Sequence, residues 1–326
     1  MQYKVSIKRK CYLLSVLLMT VWLTGCVQEE FESTPSPAGN GIRFTLTVPD
    51  VNLPSVSSRT MTGTGTAKKE DEIETVDILV FDMSKTPAVF LEWVSATGVT
   101  QDLADNSTVS FSAVLSPTTA STCIVVVANK ELDNIVSGFT KGATTKVEAM
   151  EKMLHTQTGK WLADGSTTGG YTRIPMYGEK VISKITPSMD PITGINMKRM
   201  LARIDIRNNS ATSNFTVEEV YLANYNTTGY IAPAWNTNGQ VTDPVPDTPV
   251  LPAGSGKMTE EGDAILYSVN GNTPYDGEIY TFESLAAEDA GGAGADGEAS
   301  RKDATCLIVK GRIGTCLLYT SDAADE

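Results

Sequence analysis

Residues 42–48 read Ile-Arg-Phe-Thr-Leu-Thr-Val, apolar and polar by turns. A period of two sets Ile42, Phe44, Leu46 and Val48 on one face of a strand and Arg43, Thr45 and Thr47 on the other. Such a strand has one face in a core, and a slip of one residue would expose every apolar side chain. Pro49 and Pro54 bound it. Ile73 to Asp82 (IETVDILVFD) begins with the same alternation and then turns continuously apolar, as a central strand covered on both faces does. Cys123 to Ala128 (CIVVVA), closed by Asn129, predicts another buried strand, and Asn106 to Leu115 (NSTVSFSAVL) alternates again. Val181–Thr186, Ile195–Asn208, Phe215–Ala223, Ile265–Val269, Glu278–Glu283 and Thr305–Val309 extend the series. Only Thr145 to Thr156 has helical spacing, with Val147, Met150 and Leu154 on one face. Many short strands parted by polar turns predict an all-β fold with minor α, built as a sandwich.

The polar cluster NNSATSN at 208–214 interrupts this pattern and predicts a boundary near Asn208. The first domain is then 41–208 and the second 209–314. Ser55 to Thr66 (SVSSRTMTGTGT), Ser137 to Gly142 and 226–263 read as loops. Ala286 to Ser300 (AAEDAGGAGADGEAS) reads as a mobile acidic one. Residues 27–40 are polar, with Pro35 and Pro37, and read as part of a tether spanning 26–40.

The N-terminus carries Lys4, Lys8, Arg9 and Lys10, then an apolar run from Cys11 to Leu23. That run is shorter than the roughly 20 apolar residues a bilayer span needs, and fits a secretory signal. Leu23-Thr24-Gly25-Cys26 resembles the lipobox of bacterial lipoproteins, in which the cysteine is diacylated and becomes the mature N-terminus. Residues 1–25 are thus expected to be removed and Cys26 to carry lipid. That removal takes four positive charges and no acidic one, so the formal charge falls from -13 to -17. So acidic a chain excludes nucleic acid as a partner, since phosphates need Lys and Arg. Val27-Gln28-Glu29-Glu30 is similar to the acidic export signal of surface lipoproteins in Bacteroidetes.

Catalytic and metal chemistry find no pattern. Cys123 and Cys306 lie in apolar runs, where a thiol acts as a small hydrophobe. With Cys316 they show no CxxC or metal spacing, so no metal or cofactor is expected. The single His155 lies in KVEAMEKMLHTQ, far from any nucleophile motif, and reads as a surface residue. Asp77, Asp82, Glu218 and Glu219 are scattered carboxylates. Trp161, Tyr171, Trp235 and Tyr275 could stack on sugars or anchor loops on a sandwich end. The chain is read as a non-enzyme.

The order of lipobox, first strand, Ser/Arg loop, IETVDILVFD, CIVVVANK, RIPMYGE, INMKRMLARIDI, FTVEEVYLAN and IYTFES resembles the Bacteroidales fimbrillins. These are subunits and anchors of type V fimbriae. The resemblance spans roughly Cys26 to Lys310. It implies two transthyretin-like β-sandwich domains in tandem. It also implies a lipidated precursor at the outer membrane, surface-exposed, which an Arg- or Lys-specific protease cuts after the first strand. The strand Ile42, Phe44, Leu46, Val48 then leaves, and a strand of another fimbrial subunit takes its place by β-augmentation. Arg59 is the residue that fits the cut, because flexible polar loops are where nicking concentrates. Lys68 and Lys69 are its rivals. The product would be a fimbrium serving adhesion to host or bacterial surface ligands. The alternatives are an uncleaved fimbrial anchor and a surface glycan-binding lipoprotein.

The end departs from the family. After Val309-Lys310-Gly311-Arg312 the chain reads IGTCLLYTSDAADE, where fimbrillins continue into a tyrosine-rich strand. CLLYTSDAADE is similar to translated adapter read-through, so residues 315–326 are read as a non-native tail and the second domain as truncated near Gly314.

Overall fold

The structure is a computed structural model that describes residues 42–47, 70–101, 108–162, 172–206, 214–241, 249–253, 257–258, 263–268, 275–284, 304–314 and 316–323. Strands β1 (Ile42–Thr47), β2 (Val76–Asp82), β3 (Val89–Ser95), β4 (Thr97–Gln101), β5 (Thr108–Ala113) and β6 (Thr122–Ala128) lead to two short helices, α1 (Asp133–Val136) and α2 (Lys146–Lys152). Next come β7 (Leu154–Thr156), β8 (Met176–Ile182), β9 (Ile192–Asn196), β10 (Lys198–Arg199) and β11 (Ala202–Ile206). The rest comprises β12 (Phe215–Ala223), β13 (Tyr225–Asn226), β14 (Thr228–Tyr230), β15 (Lys257–Met258), β16 (Ile265–Ser268), β17 (Tyr275–Thr281), β18 (Cys306–Ile313) and β19 (Cys316–Ala323).

A four-stranded sheet in the order β4-β5-β1-β9 faces a five-stranded sheet in the order β10-β8-β6-β2-β3. The alternation in sequence decides what lies between them. Ile78 and Val80 of β2, with Ile124, Val126 and Ala128 of β6, meet Ile42, Phe44 and Leu46 of β1 and Val109, Phe111 and Ala113 of β5 in one core. The intervening Leu79, Phe81, Cys123, Val125 and Val127 point the other way into a second core. That core is covered by Ala149 and Met150 of α2 and by Met153, Trp161 and Ile174. From Ile78 to Phe81 the run ILVF is apolar without a break because both its faces are buried.

The second core also takes Ile231, Ala232, Tyr280 and Phe282 from beyond Asn208. Farther along, a four-stranded sheet in the order β16-β12-β18-β19 accompanies the pair β11–β17. A third core joins Val217, Val220 and Leu222 of β12 to Ile265, Tyr267 and Ile279, with Ile204 and Ile206 packed against it. β11 precedes Asn208 in the chain but pairs with β17. Residues 316–323 form β19, antiparallel to β18.

Two expectations are corrected. The helix predicted over Thr145–Thr156 runs only from Lys146 to Lys152. Thr145 and Glu148 form a capping box that fixes its start, and the chain leaves helical geometry at Met153 (φ -81°, ψ 77°). Leu154–Thr156 pairs with β14 instead. The buried face is Lys146, Ala149 and Met150, while Val147 and Leu154 are only half-buried. His155 is also not on the surface. It is half-buried, with its ring 5.0 Å from that of Trp161.

Candidate functional site

β1 lies inside its sheet, not at an edge. It pairs antiparallel with β5, setting Ile42 against Ala113, Phe44 against Phe111 and Leu46 against Val109. On its other side it pairs parallel with β9, with Phe44 against Ile192 and Leu46 against Ile195, and an irregularity between them. The amide of Met197 donates to the Thr47 carbonyl at 2.9 Å and continues the ladder. Phe44 and Phe111 stack at 5.0 Å between centroids and 6° between planes. Ile42, Phe44 and Leu46 are buried, Arg43 and Thr45 half-buried, and Thr47 exposed. That is the face division read from the sequence; Val48 lies outside the described residues.

Without β1, the facing edges of β5 and β9 would each present a row of unpaired backbone groups. Between them would open a slot floored by Ile78, Val80, Ile124 and Val126. Backbone pairing on both sides and alternate apolar pockets are the requirements for accepting an extended peptide. Sequence reading found β1 and missed β9. The alternation in PITGIN is too short to stand out, and a parallel neighbour lies far along the chain from β1.

Cys26, Arg59, Lys68 and Lys69 lie outside the described residues, as does Tyr171. Each of the four carboxylates has a structural partner of its own. Asp77 accepts a hydrogen bond from Ser95 Oγ at 2.7 Å, and burial pushes its pKa up against the pull of Ser95 and Trp93. Asp82 accepts from the Ser84 amide at 2.8 Å, and the Ser84 hydrogen bonds hold its pKa down. The two stand about 16 Å apart by strand rise, too far for a retaining glycosidase pair. Glu218 pairs with Arg312 at 2.5 Å and Glu219 with Lys310 at 2.9 Å. The Tyr221 hydroxyl and Lys310 hold the Glu219 pKa down.

The two tryptophans serve packing. Trp161 is buried and its Nε1 donates to the Thr172 carbonyl at 2.9 Å. Trp235 meets Tyr230 edge-on at 4.9 Å. The His155 pKa is pushed down to about 4, by burial first and by Lys130 second, against a hydrogen bond with Gln157. An unfolded imidazole titrates near the ordinary value of 6.5, so the unfolded chain takes up the proton first as pH falls. The stability that His155 contributes is full above about 6.5 and is lost as pH drops toward about 4. His155→Gln should flatten the denaturation midpoint across that window; an unchanged slope would remove His155 as its cause.

The family of the major fimbrial subunit protein FimA matches residues 42–248, beginning at the first residue of β1. The chain belongs to that family. FimA-family membership makes it a fimbrial subunit, which associates with other fimbrial subunits in a cell-surface fimbrium. Among solved structures it is similar to a fimbrial assembly protein from Parabacteroides distasonis, at 12% identity over 87% of this chain and 85% of that one, TM-score 0.45. A protein from the same organism, provisionally assigned to cell adhesion, shares 16% identity over 87% and 80% of the two chains, TM-score 0.46. One from Bacteroides thetaiotaomicron, provisionally assigned to polysaccharide binding, shares 11% over 85% and 78%, TM-score 0.34. A search of the curated proteins finds no match.

Proposed function

We propose that this fimbrial subunit is exported as a lipoprotein through Cys26 and assembled by protease-triggered exchange of β1. The observation that supports this is the position of β1 between β5 and β9. An inner strand can be replaced with its whole ladder restored on both sides, whereas an edge strand offers half of that. Cleavage after Arg59, with Lys68 and Lys69 as rivals, would leave residues 26–59 held by contacts alone. Burial of Ile42, Phe44 and Leu46 contributes roughly 1.5–3 kcal/mol each, so the nicked strand stays until another replaces it. The incoming strand would come from a neighbouring subunit, each subunit thereby completing the core of the next. An Arg- or Lys-specific protease at the outer membrane would trigger the step, and the fimbrium would serve adhesion. Tandem sandwiches over 41–208 and 209–314 belong to the same proposal, with β11 crossing over to pair in the second.

The test is to cut the folded chain with an Arg-specific protease and offer it peptides. A peptide with apolar residues at alternate positions should displace residues 26–59 and resist denaturant, while a scrambled one should not. A cut chain that never accepts a strand overturns the exchange; a chain that resists the cut is an uncleaved anchor. Cys26→Ala should move the precursor from the detergent phase to the aqueous phase in a partition assay. Retention in detergent would refute the lipid anchor.

A further inference from the structure

Residues Glu70 to Glu74 form neither strand nor helix, yet they are held along their whole length. Ile73, 5% exposed, enters the core between the two sheets. Two side-chain amides grip the backbone. Gln101 donates from Nε2 to the Asp71 carbonyl at 2.7 Å and accepts the Ile73 amide at 3.1 Å. Asn129 repeats this one step on, donating from Nδ2 to the Glu72 carbonyl at 2.8 Å and accepting the Glu74 amide at 3.0 Å. Asn129 sits at φ 58°, a left-handed conformation that asparagine tolerates better than most residues.

Three arginines grip the side chains. Arg203 reaches the buried Glu70 carboxylate at 2.8 Å, and the Tyr280 hydroxyl donates to the same oxygen. Arg199 pairs with Asp71 and donates from Nε to the Glu70 carbonyl at 3.3 Å. Arg173 bridges Glu72 at 3.2 Å and Glu74 at 2.7 Å. The partners come from β4, the end of β6, β10, β11 and β17 as well as the segment before β8.

A connector between strands needs none of this, but a chain terminus does, because ends fray unless tied down. We propose that Glu70–Glu74 is the N-terminal anchor of the processed subunit, a clasp that keeps β2 in place when β1 is cut away and denies the Lys69–Glu70 bond to the protease. The proposal rests on the maturation reading above. A protease must draw several residues on either side of the bond into extended form. Glu70 and Asp71, held by carboxylate and carbonyl alike, cannot follow without releasing Arg199, Arg203 and Tyr280. Cleavage is therefore directed to Arg59. Because Arg203 and Tyr280 stand on β11 and β17, the clasp also ties the segment ahead of β2 to the sheet of the second half.

The test uses the full chain and trypsin, with cut sites read by intact mass. The native chain should be cut after Arg59 at least about tenfold faster than after Lys68 or Lys69. Cleavage tracks the population of the opened segment. Tyr280→Phe combined with Arg203→Gln should therefore speed the cut after Lys69 by about tenfold and leave the cut after Arg59 unchanged. Arg312→Gln, which breaks only the pair with Glu218, is the control. If the double variant fails to fold by circular dichroism, Tyr280→Phe and Arg173→Gln singly carry the test. Equal cutting at Lys69 and Arg59 in the native chain, or variants without acceleration, overturns the clasp. In protein already cut at Arg59, the amides of Ile73 and Glu74 should stay protected from exchange, and their loss also overturns it. Failure to accept a donor peptide removes strand exchange instead, and leaves the cleavage map to decide the clasp.

Discussion

Phe44→Ala should destabilise the precursor by about 3–5 kcal/mol, the cost of emptying a large buried aromatic site. Phe44 is 1% exposed, stacked on Phe111, and flanked by Ile192 of the parallel neighbour. No water reaches the vacated space, and β5 and β9 cannot close on it without giving up the ladder on one side. The lost stacking adds to the cavity term, because aromatic pairs are worth more than their area. The same substitution should cost nothing once the subunit has been cut and a donor strand has replaced β1, since Phe44 has by then left the fold. Denaturation midpoints of both forms, with and without the substitution, give the comparison. A loss of equal size in the exchanged form would mean that β1 never leaves, and strand exchange would fall for this chain.

How much of this was legible in the sequence follows from how local each signal is. The face division of Ile42–Thr47 and the double burial of Val76–Phe81 are carried by consecutive residues, so reading them needs no knowledge of the partner strand. Phe215–Ala223 was legible to the residue, because nine residues without Gly or Pro, rich in β-branched and aromatic types, follow a polar cluster. β3 and β4 were not read, since VFLEWVS and TGVTQ mix half-buried and exposed positions without a clean period. The helix was drawn too long for a related reason. Helical spacing continues through Leu154 in sequence, while the chain gains more by pairing β7 with β14. His155 looked solvent-facing because its neighbours in sequence are polar, whereas its neighbours in space, Trp161 and Phe282, are aromatic.

The candidate site divides along the same line. The strand to be exchanged announces itself by alternation. Its parallel neighbour β9 and the clasp on Glu70–Glu74 depend on pairings such as Arg203 with Glu70, which lie 133 residues apart. Nothing in the charged stretch KKED marks a buried residue, and only the fold shows that Glu70 is 6% exposed with an arginine and a tyrosine on its carboxylate.

Glu179→Ala should lower stability by about 3 kcal/mol, at the low end of the cost of breaking a buried ion pair. Lys146, the first residue of α2, is 2% exposed and places its Nζ 2.6 Å from Glu179 on β8. Tyr177 donates its hydroxyl to the same carboxylate oxygen at 2.5 Å. Burial, and then the Glu179 charge, pushes the Tyr177 pKa well up. The Cys123 thiol beneath them is pushed up to about 11, mainly by burial. Removing the carboxylate leaves a buried ammonium and a buried hydroxyl without their partner. Glu179 is 22% exposed, so water can enter the gap and hold the loss to that lower figure. Lys146→Met should cost much less, because an apolar chain of similar length fits the same channel and the stranded carboxylate reaches water. If neither substitution lowers stability, α2 is fastened by its apolar contacts through Ala149 and Met150 instead. On β8 the two faces do separate tasks. Glu179 and Tyr177 hold α2, whereas a Cβ at the intervening Gly178 would come within 2.7 Å of Met197 Sδ and 2.8 Å of Ile195, at the parallel wall of the β1 slot. Glu179→Ala acts on the face away from that wall. Its cost should therefore be equal in the precursor and in the exchanged subunit, the opposite of what is expected for Phe44→Ala.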